Sequence, residues 1–137
     1  PEIYERILHA KLFMDENFSQ PIGLDQISRK AYFSRFHFHR VFTNIYRITP
    51  HQYITAKRIE KARSLLAENR LSVTEVCAEV GFESLGSFSI LFKKMKGIAP
   101  QDFRESAHQN KIKGQIHPRK FIPSCFIDQF KLNGKRE

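Results

Sequence analysis

The sequence predicts an all-α protein of about seven helices, in which one long helix joins two similar small modules. Three observations predict this fold. Apolar residues recur with a helical period along the chain, no segment keeps the period-2 alternation of a β-strand, and the pattern of residues 24–53 returns about 50 positions later. The 137 residues are enough for one domain or for two very small ones.

The internal repeat is the most specific of these signals. A shift of 49 positions superposes its first part and a shift of 50 its second part, with one residue of slippage after Phe33 and Phe82. Two copies are too few for a solenoid, so the repeat indicates a tandem of small helical modules. The superposed pairs are Leu24 and Val73, Ile27 and Val76, Ala31 and Val80, Phe38 and Phe88, Val41 and Leu91, Phe42 and Phe92, Ile48 and Ile98, Pro50 and Pro100, and Tyr53 and Phe103.

Three helices are predicted in the first module. Residues 3–18 are amphipathic, residues 24–31 form a short second helix, and Ser34 can cap a third helix that runs to about Tyr46. Their inward faces are Ile3, Ile7, Ala10, Met14 and Phe18 in the first helix, Ile27 and Ala31 in the second, and Phe38, Val41, Phe42 and Ile45 in the third.

The connecting helix and the helix after it have clear start signals. Thr49 is a cap and Pro50 a first-turn residue for a long helix that runs to about Asn69. Ser72 and Glu75 have the spacing of a capping box, which predicts the start of the fifth helix. The long helix offers Ile54, Ile59, Ala62, Leu65 and Leu66 for packing.

The sixth and seventh helices complete the second module. Gly81 can take the positive φ of the tight turn, and Ser84 or a neighbour caps the sixth helix, which Gly97 ends. Pro100 opens a short last helix through about Ser106. The apolar stripe of the sixth helix is Phe88, Leu91, Phe92 and Met95.

Basic charge is concentrated in one stretch. The net charge is +9, and residues 26–59 hold seven Lys and Arg side chains but no acid. Such a charge favours a polyanionic partner, nucleic acid before an anionic membrane surface, although a charge run alone is as often a solvated face. No stretch approaches the ~18 apolar residues of a membrane-spanning helix, and the N-terminus lacks an apolar signal core, so we expect a cytoplasmic protein without a membrane partner.

The order of elements in each module is informative. A short helix, a tight turn and a longer helix form a helix-turn-helix, whose second helix enters the major groove of DNA. One such unit is weak evidence, but two related by a repeat are much more specific. As one helix, residues 50–69 would be about 30 Å long, near the ~34 Å between successive major grooves on one side of B-DNA. The sequence therefore predicts a monomer with two recognition helices in successive grooves.

The chain resembles the DNA-binding domain of AraC/XylS-type transcriptional regulators over roughly residues 2–106. The resemblance implies a homeodomain-like bipartite domain of a bacterial regulator that binds promoter DNA, usually as an activator in contact with RNA polymerase. Arg58 stands where such proteins carry a linker-helix arginine. The motifs are Gly81-Phe82-Glu83-Ser84, Phe88-Ser89, Phe92-Lys93-Lys94, Gly97-Ile98-Ala99-Pro100 and Phe103-Arg104, supported by Ser34-Arg35-Phe36-His37-Phe38-His39-Arg40-Val41-Phe42 and Thr49-Pro50-His51-Gln52-Tyr53-Ile54.

The third helix is the first predicted recognition helix. Arg40 can bond the O6 and N7 atoms of guanine, and His39 can reach a base edge. Phe36 is either a contact for a thymine methyl group or part of the core, and His37 is expected to pack or cap. Phosphates are the expected partners of Arg35 and Thr43. The predicted DNA-binding residues here are Ser34, Arg35, Phe36, His39, Arg40 and Thr43.

The sixth helix carries a different set at the matching positions. Ile90 offers no donor or acceptor, so we expect the first module to carry most base-specific readout. The second module would rely on DNA shape and on phosphate contacts from lysines, including Lys96. Tyr32 occupies a turn position that is commonly Gly in the family, and a positive φ there would cost about 1 kcal/mol. The predicted DNA-binding residues are Ser84, Leu85, Gly86, Ser87, Ile90, Lys93 and Lys94.

We predict a first subdomain at residues 1–49, a linker helix at 50–69, a second subdomain at 70–106 and a basic tail at 107–137. In the tail, Ile122, Phe126 and Phe130 fit one helical face. That segment either docks on the domain or stays disordered. The functional alternative is that it binds a partner, mediates self-association or adds contacts to DNA phosphates. The effector domain of larger AraC-type regulators is absent from this chain, which is either a stand-alone DNA binder or a fragment.

Other function classes are less well supported. A general nucleic-acid-binding protein without sequence specificity is the alternative; only a regulator prefers particular sites by about 10³-fold. We expect no enzyme, because paired carboxylates, a Gly-rich phosphate loop and a Ser/Cys–His arrangement are missing. No cofactor is expected. Two cysteines, 48 residues apart, are too few for a cysteine-based zinc site, and His37 and His39 point apart on a helix, so no metal is expected either. Cys77 is expected to be buried and Cys125 the more exposed of the two.

Overall fold

Seven helices form the part of the chain that the structure, a computed structural model, describes: residues 2–114, with side chains described to residue 110. Residues 2–114 contain no strand, which confirms the predicted all-α class. None of these helices combines the length and the hydropathy needed to cross a membrane. The helices are α1 (Glu2–Asn17), α2 (Leu24–Lys30), α3 (Arg35–Tyr46), α4 (Pro50–Glu68), α5 (Val73–Glu79), α6 (Leu85–Lys96) and α7 (Pro100–Gly114).

Side-chain caps begin four of the helices, as the sequence predicts. Each capping oxygen accepts a hydrogen bond from the backbone N–H three residues later, at 3.1 to 3.2 Å. Before α4 and α5 the bond is reciprocal, because a Gln or Glu side chain accepts from the backbone N–H of the capping residue at 3.0 Å. The four caps pair Ser34 with His37, Thr49 with Gln52, Ser72 with Glu75, and Ser84 with Ser87.

The two modules use the same left-handed backbone turns with different residues. Gly81 has φ 97° in the turn before α6, and Tyr32 has φ 57° at the matching position before α3. Gly97 ends α6 with φ 78°, and Arg47 ends α3 with φ 64°. The first module therefore places L side chains where the second has glycine, and the strain expected at Tyr32 is present.

The chain divides into two compact units at Arg58, within α4. The first unit packs α1, α2, α3 and the start of α4. The rings of Phe38 and Phe42 lie 5.6 Å apart, and the Tyr53 ring lies 5.8 Å from Phe42. Ile3, predicted to face inward, is 48% exposed, because only the middle of α1 contacts the core. The buried apolar residues of this unit are Ile7, Ala10, Met14, Ile27, Ala31, Phe38, Phe42, Ile48, Tyr53, Ile54 and Ala56.

The second unit repeats this arrangement with the rest of α4 and with α5, α6 and α7. The rings of Phe88 and Phe92 lie 5.8 Å apart, and Phe103 of α7 meets Phe92 edge-on at 5.7 Å. Burying such aromatic side chains supplies most of the stabilisation of a small unit. Its core consists of Ile59, Ala62, Leu66, Val76, Cys77, Val80, Phe88 and Phe92.

Helix α7 is longer than the sequence predicts. It continues past Ser106 to Gly114, so part of the predicted tail is helical. The prediction followed the apolar stripe, which ends near Ser106, but residues such as Ala107 and Gln109 have good helix propensity and continue the helix. Residues 115–137, with the predicted helical face at Ile122, Phe126 and Phe130 and with Cys125, lie outside the described residues.

Candidate DNA-binding surface

Helix α3 presents a polar and basic face on the side opposite its buried aromatic residues. Phe38 and Phe42 are fully buried, and helical geometry therefore turns the intervening positions outward. Phe36 is 83% exposed, so the core interpretation of this residue is wrong. The exposed face contains Ser34, Arg35, Phe36, His39 and Arg40.

The charged side chains of this face differ in their partners. Arg35 Nε lies 3.0 Å from Asp25 Oδ1, an exposed ion pair that a phosphate can replace at little cost. Within the described residues, Arg40 has no hydrogen bond or ion pair and is free to bind a ligand. His37 packs as expected, since its ring centroid lies 4.6 Å from that of Phe33.

Thr43 differs from the expectation that it contacts a phosphate. The residue is half-buried, and its hydroxyl oxygen is enclosed without a hydrogen-bond partner among the described residues. Threonine in a helix adopts two χ1 rotamers, and the one seen here directs the hydroxyl toward the protein. The rotamer seen here therefore does not present Thr43 Oγ1 to a phosphate.

Helix α6 presents an exposed face with little hydrogen-bonding capacity. Ile90 is 73% exposed and Leu85 43% exposed, while Phe88 and Phe92 on the other side are fully buried. Ser84 Oγ already accepts the capping bond but keeps its O–H as a donor. The exposed residues of this face are Ser84, Leu85, Gly86, Ser87, Ile90, Lys93 and Lys94.

Lys96 does not join the other lysines of α6, contrary to the expectation that it contacts phosphate. Its Nζ lies 2.8 Å from Glu60 Oε2, and the side chain is almost completely buried. Glu60 also binds Arg63 Nε, at 2.7 Å. Because a buried ion pair is costly to break, Lys96 holds α6 against α4 and is not available to DNA.

Arg6 is a residue near the start of α3 that the sequence reasoning missed. Its guanidinium donates hydrogen bonds to the carbonyl oxygens of Ala31, at 2.6 Å, and of Tyr32, and it stacks on the Phe33 ring at 3.9 Å. It therefore fixes the strained turn that precedes α3. No local pattern signals this contact, because Arg6 is 25 residues away in sequence.

Arg58, the linker-helix arginine of the resemblance, contacts the segment after α1. Its Nε donates to the carbonyl oxygen of Phe18 at 2.5 Å, and its second nitrogen donates to that of Gln20 at 2.9 Å. These charge-assisted bonds satisfy carbonyl groups after the end of α1. Arg58 therefore acts within the first unit, as a support for the fold.

The metal-ligating side chains and Cys77 are the remaining groups with possible chemistry. Within residues 2–110, no three His, Cys, Asp or Glu side chains are grouped so as to hold a metal ion. Cys77 is buried as predicted, and its burial raises the pKa of the thiol. A thiol with a raised pKa is a poor nucleophile at neutral pH.

Comparison with known proteins assigns the chain to a family. A model of the helix-turn-helix domain matches residues 27–106, which is more than half of the chain. The chain belongs to the AraC-type helix-turn-helix family. The domain that this family shares is the DNA-binding part of transcription regulators and is not itself an enzymatic domain.

Several curated relatives are bacterial regulators. The melibiose operon regulatory protein of Escherichia coli is 28% identical over 72% of this chain and 33% of its own length. The regulator GbdR of Pseudomonas aeruginosa is 33% identical over 67% of this chain and 25% of its own length. The bifunctional transcriptional activator/DNA repair enzyme AdaA of Bacillus subtilis is 30% identical over 68% of this chain and 44% of its own length. The chain thus spans less than half the length of these relatives.

Solved structures confirm the fold. The DNA-binding domain of AdpA, determined with a target DNA, superposes with a TM-score of 0.74 at 24% identity, over 79% of this chain and 97% of that one. An AraC-type protein from Chromobacterium violaceum has a TM-score of 0.70 at 25% identity, over 77% and 95%. The C-terminal domain of AraT from Geobacillus stearothermophilus has a TM-score of 0.71 at 26% identity, over 76% and 87%.

Proposed function

We propose that this chain is the DNA-binding part of a sequence-specific transcription regulator. Its helices α3 and α6 insert into successive major grooves of promoter DNA. The observation that carries the proposal is that both modules turn the same positions of a repeated helix outward, while the aromatic residues of that helix are buried. A buried stripe with an exposed opposite face is the arrangement that a recognition helix needs.

The proposal assigns residues 1–49 and 70–106 to the two DNA-binding subdomains and residues 50–69 to the linker. The 19 residues of α4 correspond to about 28 Å of helix, close to the groove spacing of ~34 Å. Arg40 and His39 read bases from α3, and Ser34 and Arg35 contact phosphate. From α6, Lys93 and Lys94 contact phosphate, as do the hydroxyl groups of Ser84 and Ser87.

Activation through RNA polymerase, in the bacterial cytoplasm, belongs to the same proposal. Its support is the name of a relative, since AdaA is called a transcriptional activator. Transcription in vitro from a promoter that carries the bound site checks this step. A rise in transcript with purified polymerase supports activation, and a fall indicates repression.

The test begins with selection of binding sites from a random duplex library, using the full chain. We expect a preference of about 10³-fold over unrelated DNA and footprints in two successive major grooves on one side of the duplex. A footprint confined to one turn overturns the bipartite mode. Binding that ignores base order indicates the alternative, a general nucleic-acid-binding protein.

Variants then separate base reading from charge. Arg40→Ala should lower affinity for the selected site by about 10- to 100-fold and relax specificity at one guanine. Lys61→Ala, which removes the same charge from the exposed side of α4, is the matched control and should affect both DNAs alike. Ile90→Ala should cost less specificity than Arg40→Ala. The reverse order contradicts the assignment of most base reading to the first module.

A further inference from the structure

The groove-facing residues of α6 differ in chemistry from those of α3. Where α3 has Phe36 and Arg40, α6 has Gly86 and Ile90 at the matching positions. Ile90 is 73% exposed, although isoleucine is among the residues most often buried. Its side chain offers no hydrogen bond, so any base it reads must be read by shape and apolar contact.

Gly86 has no structural role inside the chain that explains it. It is the second residue of α6, in the first turn, so it neither ends the helix nor lies in the turn before it. It does not take a positive φ, and a Cβ atom added to it would meet only Ser84 Oγ, at an ordinary 3.6 Å. Alanine would therefore fit, and the glycine leaves open space on the outer side of the helix.

Gly86 and Ile90 are one helical turn apart and share a face. Together they form a shallow step in the exposed face, with the bare backbone of Gly86 on one side and the apolar Ile90 side chain on the other. Lys93 and Lys94, also exposed, follow one turn later and supply positive charge for the phosphates. The major groove offers one apolar group that fits such a step, the C5-methyl group of thymine.

We propose that α6 recognises its half-site through the 5-methyl group of a pyrimidine, which Ile90 contacts while Gly86 lets the base edge approach the helix. This inference rests on the proposed function and names the ligand chemistry of the second module. Because Ile90 ignores the groups at C4, thymine and 5-methylcytosine are equivalent ligands. Uracil and cytosine, which lack the methyl group, bind more weakly.

The experiment uses the full chain and the selected duplex, with each thymine replaced in turn by uracil. At one or two positions of the α6 half-site, the dissociation constant should rise about fourfold, the effect of one buried methyl group. Replacing that thymine–adenine pair by 5-methylcytosine–guanine should keep affinity within about twofold, whereas unmethylated cytosine–guanine should show the fourfold loss.

Two variants test the residues directly. Ile90→Ala should bind the thymine and uracil duplexes equally, while Ile90→Val, which keeps a branched apolar contact, should retain part of the difference. Gly86→Ala should weaken binding about tenfold or more by blocking the approach, yet unfold at the same or a higher urea concentration than the parent. If Gly86→Ala unfolds at a lower urea concentration than the parent, the glycine is needed for folding. That result contradicts its role in letting the base edge approach α6.

The outcomes separate this inference from the proposed function. Equal affinity for thymine and uracil throughout the α6 half-site, with Arg40-dependent selectivity intact, overturns the methyl contact and leaves the proposed function standing. A thymine–uracil difference that survives in Ile90→Ala also overturns it. Absence of any base preference, including at the Arg40 contact, overturns the proposed function and this inference with it.

Discussion

Tyr32 is an exposed residue whose replacement by glycine should stabilise the protein. Its φ of 57° lies in the left-handed region, which costs an L-residue about 1 to 2 kcal/mol. Glycine avoids that cost but loses about 0.4 to 1 kcal/mol more in backbone entropy on folding. The side chain is 79% exposed, so little apolar burial is lost. Tyr32→Gly should therefore raise the free energy of unfolding by about 0.5 kcal/mol.

The neighbouring contacts favour this result. Arg6 bonds the backbone carbonyl groups of Ala31 and Tyr32, and these groups remain when the Tyr32 side chain is removed. The turn thus stays anchored in the variant. Gly81 occupies the matching position in the second module, with φ 97°. Gly81→Ala should lower the free energy of unfolding by about 1 kcal/mol or more, because alanine is strained at that φ.

Urea unfolding of the full chain, followed by circular dichroism at the helix band, measures both changes. Tyr32→Ala is the control, because it removes the ring but keeps the Cβ atom that causes the strain, so it should not be stabilised. If Tyr32→Gly is less stable than the parent, or no better than Tyr32→Ala, the strain argument fails. The Tyr32 side chain would then contribute to the first module in a way that its exposure does not indicate.

Two further stability predictions follow from the polar contacts. Burial of the Asp15 carboxyl group opposes its ionisation. It accepts hydrogen bonds from Tyr53 and Lys11, however, and these bonds, with the charges of Lys57 and Lys11, outweigh burial and lower the pKa of Asp15. Its contribution is present above the ordinary pKa of about 3.9 and is lost as the pH falls through the lowered pKa. Asp15→Asn should therefore lower the free energy of unfolding by about 1 kcal/mol at pH 7. Urea titrations should show that the difference between variant and parent becomes smaller at pH 3. A difference that stays the same at both pH values contradicts the link between the lowered pKa and stability. Ser72→Ala removes the capping box of α5 and should lower the free energy of unfolding by about 1 kcal/mol in the same assay. The control Ser64→Ala, on the exposed side of α4, should leave it unchanged. Equal effects of the two substitutions refute the role of the cap.

Much of the candidate surface could be predicted from the sequence because helix faces follow from local periodicity. Once Phe38 and Phe42 were placed inside, geometry alone put His39 and Arg40 outside, and the repeat carried the same reasoning to Ile90. Phe36 could not be decided this way, since an aromatic residue at the edge of the stripe fits either side. Its 83% exposure is a property of the packed unit.

The sequence by itself determined the seven helices apart from the length of α7, their caps and the twofold repeat, since caps and periodic faces depend on residues three or four positions apart. Only the tertiary structure showed that Arg6 holds the turn at Tyr32 by hydrogen bonds, that Lys96 forms an ion pair with Glu60, and that the Thr43 hydroxyl is buried. The first two contacts join residues 25 and 36 positions apart, and the third depends on what packs around one side chain. Such contacts arise only when several helices pack together, and no local pattern records them.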